Sequence, residues 1–140
     1  MVRALVVEDH DKWQKFHKNC LESILGKGSV DIANNYEDAI SMLNQDYGVY
    51  IIDGQFLRCP DGDLQVLGIQ LAKEIGKKEG SYDKIVMVSS SEDSLSRAQR
   101  LGITQVYNKF SLNADENEVG VFSRDLRAFL LDTEATLCAG

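Results

Sequence analysis

Four short apolar runs in this chain each lead into a side chain that can do chemistry. Ala4-Leu5-Val6-Val7 is followed by Glu8-Asp9, and Val49-Tyr50-Ile51-Ile52 is followed by Asp53. Ile85-Val86-Met87-Val88 is followed by Ser89, and Val106-Tyr107 leads through Asn108 to Lys109. Ligands in open α/β sheets bind just beyond the carboxyl ends of the strands, so these residues are placed to meet on one rim. Two unit charges about 4 Å apart repel by roughly 4 kcal/mol at an effective dielectric of 20. Glu8, Asp9 and Asp53 together therefore hold a proton or bind a cation, and an all-oxygen ligand set favours Mg²⁺. A carboxylate beside Mg²⁺ can attack phosphorus, with the Ser89 hydroxyl and the Lys109 ammonium steadying the phosphoryl oxygens. Singly, Glu8-Asp9 and Ser89 read as helix N-caps and Lys109 as a solvated lysine. Four strand ends carrying all of them argue for a site.

The elements that must position these groups alternate between strand-like runs and helical spacing, which indicates β and α units around a parallel sheet. Trp13, Phe16, Cys20, Leu21, Ile24 and Leu25 recur at helical intervals up to Gly26, and Val30 to Ala33 alternates as an edge strand does. Asn34 with Glu37 forms a capping pair for a second helix. The loop after Asp53 holds the only proline, Pro60, and an Asp61-Gly62 turn signal, ahead of a third helix patterned by Leu64, Leu67, Leu71 and Ile75. A fourth helix follows Ser91 and stops at Gly102, and a fifth runs from about Asn113, with Glu116 completing its capping box and Gly120 weakening it. The central runs are nearly all apolar, so helices should cover both faces of the sheet.

With 140 residues the chain is long enough for one core and too short for two ordinary domains. The boundaries predicted are one domain over 1–131 and a frayed tail over 132–140. A net charge of −7 disfavours direct DNA binding, which needs a basic surface. The three cysteines form no CxxC pair, which argues against a disulfide framework or a zinc site. No run approaches the roughly 18 apolar residues of a membrane span. The first apolar run is too short for a signal peptide, which gives a cytoplasmic reading.

The chain resembles a response-regulator receiver domain of two-component signalling, and the likeness covers about residues 2 to 131. The acidic pair of that family matches Glu8-Asp9, its phosphoacceptor Asp53, its Ser/Thr Ser89 and its lysine Lys109, with Gly102 seven residues before the lysine. The resemblance implies a flavodoxin-like, doubly wound (βα)5 fold with a five-stranded parallel sheet in the order 2-1-3-4-5. It also implies Mg²⁺-dependent phosphoryl transfer to Asp53 from a histidine kinase or histidine phosphotransfer protein. The backbone carbonyl of Gln55 would complete the metal site, and output would pass to an effector through helix four, strand five and helix five. No catalytic turnover is implied beyond self-phosphorylation and autodephosphorylation.

Three departures from the family pattern stand out. Phe110 replaces the proline that usually follows the lysine, so a trans bond and a different local turn are expected. Val106 occupies the aromatic switch position, and Tyr107 beside it points to the opposite face. The loop after Asp53 is one residue longer than usual. These departures keep open an alternative: a receiver-like binding module that works without phosphorylation. A phosphohydrolase fits less well, because no second carboxylate stands two residues after Asp53. His10 reads as a solvent-facing loop residue, His17 as an edge-of-core residue, and Trp13 as packing beside the acidic pair.

Overall fold

A computed structural model describes residues 2–114 and 122–130 of the chain. Five strands form one parallel sheet: β1 (Ala4–Val7), β2 (Val30–Ala33), β3 (Val49–Ile52), β6 (Ile85–Ser89) and β7 (Gln105–Asn108). Their spatial order is β2-β1-β3-β6-β7, which is 2-1-3-4-5 when only the sheet strands are counted. This is the expected α/β flavodoxin-like topology. A further pair, β4 (Phe56–Leu57) and β5 (Leu64–Gln65), forms a separate antiparallel hairpin within the loop after Asp53.

The helices are α1 (Asp11–Leu25), α2 (Tyr36–Met42), α3 (Gly68–Glu79), α4 (Glu92–Leu101) and α5 (Lys109–Ala114). Residues 122–130 are also helical and are called α6 here. Alternate side chains along each strand feed two cores, as the period of two requires. Leu5, Val7, Tyr50, Ile52 and Met87 pack with α2, α3 and α4, whereas Val6, Ile51, Val86 and Val88 pack with Leu21 of α1, Leu112 of α5 and Phe122 of α6. Burying a side chain such as Ile51 or Leu71 contributes about 1.5–3 kcal/mol. These doubly covered strands therefore form a stiff platform for whatever follows their carboxyl ends.

Four local readings of the sequence need correction. The cap of α2 is Asn35, whose side chain accepts from the Asp38 N–H, so the capping pair lies one residue beyond Asn34 and Glu37. Leu64 belongs to β5 rather than to α3 and is 57% exposed, because a turn closed by Gly62 N–H to Cys59 O folds the loop back on itself. A separate short helix, α5, spans Lys109–Ala114 and takes in Asn113, while the start of the helix that carries Phe122 and Leu126 lies outside the described residues. Asn113 therefore sits inside a helix instead of capping one, and Glu116 and Gly120 lie outside the described residues, as does the predicted tail. His17 is fully buried rather than at a core edge, among Trp13, Phe16 and Phe122.

Other expectations are met. Gly80 and Gly102 close α3 and α4 in left-handed conformations at φ +79° and +113°, where a Cβ would be strained. No cis peptide bond occurs among the described residues, so Phe110 follows Lys109 in the trans form. Val106 packs with the core under α4, and Tyr107 packs on the other face with its ring 4.7 Å from that of Phe122.

A candidate acidic site

Backbone pairing carries the sheet just past its strands and so aligns the acids. Glu8 N–H donates to Ala33 O and Asp53 N–H to Val7 O, both at 3.1 Å. Glu8 is 1% exposed and Asp53 9%, while Asp9 is half-buried. One carboxylate oxygen from each of Glu8, Asp9 and Asp53 lies within 4.8 Å of the others. Lys109 reaches in from the end of β7, and its Nζ donates to Glu8 Oε2 at 2.7 Å and to Asp53 Oδ2 at 2.8 Å. Its ammonium also lies 5.2 Å from the centre of the Trp13 ring, a favourable cation–π separation.

One buried ammonium cannot neutralise two buried carboxylates and a third beside them. Burial pushes Glu8 up to about 7, with the Asp53 charge adding to the rise and Lys109 opposing it. Burial raises Asp53 as well, against the Lys109 charge and the backbone N–H groups of Gln55 and Gly54. Burial also disfavours the Lys109 ammonium, yet Asp53 and Glu8 outweigh that loss and its pKa rises. Lys109 thus stays charged, while Glu8 and Asp53 hold protons more tightly than free carboxyls unless a cation offsets their charge. Such a site is suited to a hard cation, and the all-oxygen donor set fits one.

The loop that carries Asp53 is held by the absence of side chains. A Cβ on Gly68, at the start of α3, would lie 2.4 Å from Asp53 O and 2.8 Å from Gly54 Cα. A Cβ on Gly54 would lie 2.6 Å from Ser89 Oγ and 2.8 Å from Ser94 Oγ. Gly68 N–H also donates to Gly54 O at 3.1 Å. The two glycines let α3 and α4 close on the backbone of the loop that carries Asp53. A glycine immediately after Asp53 and another at a helix start are signals the sequence carried but that periodicity alone does not flag.

Glu8, Asp9, Asp53 and Lys109 line a cleft of about 390 Å³, together with Gln55, Ser90, Trp13 and His10. Leu64 of the hairpin and Phe110 also line it, and both are exposed. Ser89 does not line this cleft. It is buried beside Gly54, and its Oγ accepts from Ser91 N–H at 3.1 Å. The N-cap of α4 is Ser91, which accepts from Ser94 N–H. His10 is exposed as expected, though its backbone N–H donates to Glu8 Oε1 at 3.1 Å.

No protein-family model matches the sequence, and no curated protein matches it. Solved structures do. The response regulator TrrA of Thermotoga maritima, solved in complex with Mg²⁺ and BeF, is 27% identical with a TM-score of 0.60, over 86% of this chain and 96% of that one. The non-phosphorylated HemR receiver domain of Leptospira biflexa is 23% identical with a TM-score of 0.65, over 93% and 94% of the two chains. A CheY-like response regulator receiver domain protein of Methanospirillum hungatei is 19% identical with a TM-score of 0.67, over 97% and 98%.

Proposed function

The chain has the fold of response-regulator receiver domains, and we propose that it works as one: Asp53 accepts a phosphoryl group and the phosphorylated state is read by a partner protein. The observation that carries this reading is the Asp53 carboxylate in an open acidic cleft, held by Lys109. A carboxylate oxygen of Asp53 forms the new bond to phosphorus as the donor's P–N bond breaks. The electron pair stays on the donor nitrogen, which then takes up a proton. Lys109 is placed to meet the negative charge on the transferred group. Ser89 Oγ accepts from Ser91 N–H and keeps its own O–H proton to donate to a phosphoryl oxygen.

Mg²⁺ is the cofactor we assign, held by Glu8, Asp9, Asp53 and the backbone carbonyl of Gln55. Bound there it supplies the positive charge that offsets phosphoryl and carboxylate oxygens drawn together. The donor is a histidine kinase or histidine phosphotransfer protein. The effector surface is the face of α4, β7 and the last helix, within a domain spanning 1–131. No helix of the described residues is long and apolar enough to cross a membrane.

The test is incubation with Mg²⁺ and phosphoramidate, followed by intact mass. A single phosphate adduct on the wild type that is absent from Asp53→Ala is the expected result. No adduct on the wild type, or one that persists in Asp53→Ala, overturns the reading. Val106 at the switch position favours a second reading, a binding module indifferent to phosphorylation. Partner affinity unchanged by beryllofluoride would mark that case.

A further inference from the structure

Where the proline would stand, Phe110 brings a backbone N–H, and the neighbouring residue uses it. Asn108 Oδ1 accepts from Phe110 N–H at 2.8 Å and from Ser111 N–H at 3.3 Å, which makes Asn108 the cap of α5. Lys109 is the first residue of that helix. The other end of the same carboxamide faces the neighbouring loop: Asn108 Nδ2 donates to Glu92 Oε1 at 2.6 Å. Glu92 is the first residue of α4, directly after Ser89, Ser90 and Ser91. The backbones of Asn108 and Ser89 are themselves paired across β7 and β6.

We infer that Asn108 is a positioning residue for phosphoryl transfer, its carboxamide tying the β7–α5 junction that carries Lys109 to the start of α4, three residues after Ser89. The inference rests on the phosphoacceptor reading and extends it to a residue that touches no phosphoryl oxygen. Proline fixes a turn by removing conformations. Asn108 fixes this one by hydrogen bonds, and it can do so because residue 110 has an N–H to give. The two ends have separable duties. Oδ1 sets the start of α5 and hence the Lys109 backbone, whereas Nδ2 sets the distance between the starts of α5 and α4.

The test compares phosphoramidate labelling rates at saturating Mg²⁺ for wild type, Asn108→Ala, Asn108→Asp, Glu92→Ala and Glu92→Gln, with urea stability measured alongside. Asn108→Ala should label more slowly, by up to about fivefold where the whole stabilisation of an ordinary cap is felt at Lys109. Asn108→Asp keeps the cap but sets a carboxylate against Glu92, so it should slow labelling while α5 stays intact. Glu92→Ala should slow labelling too, and Glu92→Gln, which keeps an acceptor for Nδ2, should restore it. The Lys109 ammonium lies 5.2 Å from the Trp13 ring, so Trp13 emission should shift in Asn108→Ala. A merely structural role lowers stability without these rate effects or the rescue. Wild-type labelling with Asn108→Ala equally fast overturns this inference alone. No labelling of the wild type overturns the phosphoacceptor reading and this one with it.

Discussion

Substituting Glu8 by Gln should remove the part of the metal-free protein's pH dependence that this buried carboxyl contributes. Burial lifts Glu8 from the ordinary 4.5 to about 7, with the Asp53 charge adding to the rise. The folded state therefore holds the proton more tightly than the unfolded one. Its stabilising contribution is complete below about pH 4.5 and is lost as the pH rises through about 7. Between about pH 5 and pH 8 this group should remove about 2–3 kcal/mol of stability. Gln keeps the shape and the contact with Lys109 but cannot ionise. Glu8→Gln should thus gain on the wild type by that amount over the same interval. Asp53, also raised, slopes the same way in both proteins and largely cancels. Urea unfolding with EDTA at the two pH values measures the difference directly. A gap between the two proteins that does not change with pH, or that closes in the wild type's favour as pH rises, would refute the reasoning. Adding Mg²⁺ at the higher pH should return the wild type toward its low-pH stability and leave Glu8→Gln little changed.

Three further outcomes are expected. Gly68→Ala pushes a methyl against Asp53 O and Gly54 Cα, both backbone atoms, so it should cost about 1–3 kcal/mol and slow phosphoramidate labelling, as calorimetry and intact mass will show. Mg²⁺ at about tenfold above its dissociation constant should add roughly 1.4 kcal/mol of stability, and a melting temperature indifferent to Mg²⁺ would count against the acidic cluster as a metal site. Burial pushes His17 down to about 3, and the Lys109 charge adds to this, so its contribution to stability is present above about pH 6.5 and is lost on acidification. His17→Phe should therefore outlast the wild type by about 2 kcal/mol at about pH 5, and urea curves showing no such gain would place a partner at His17 Nδ1, which has none among the described residues.

Sheet, strand order and the acidic rim were legible in the residues because they rest on local rules. Continuous apolar runs mark strands buried on both faces, and the residue after each run must fall at the same edge of a parallel sheet. Glu8, Asp9, Asp53 and Lys109 could be paired on that basis alone, and the structure brings them together. Phe110 in place of proline, and Val106 beside Tyr107, were also visible one residue at a time.

Contacts between segments distant in the chain were not. Leu64 fits a helical face by spacing, but pairing with Leu57 makes it a strand, and no local pattern weighs the two. Asn113 satisfies a capping rule, yet Asn108 captures the N–H groups of Phe110 and Ser111 first and starts a separate short helix at Lys109 that takes in Asn113. Ser89 has the right type and position for a phosphate contact, but its hydroxyl faces Ser91 N–H and the open cleft is lined by Ser90 instead. The sequence by itself determined which groups stand at the rim, because strand periodicity and strand ends are properties of the chain. Only the tertiary structure decided what those groups touch. One lysine shared between two buried acids, and one asparagine spanning two loops, arise where separate elements pack within hydrogen-bond reach.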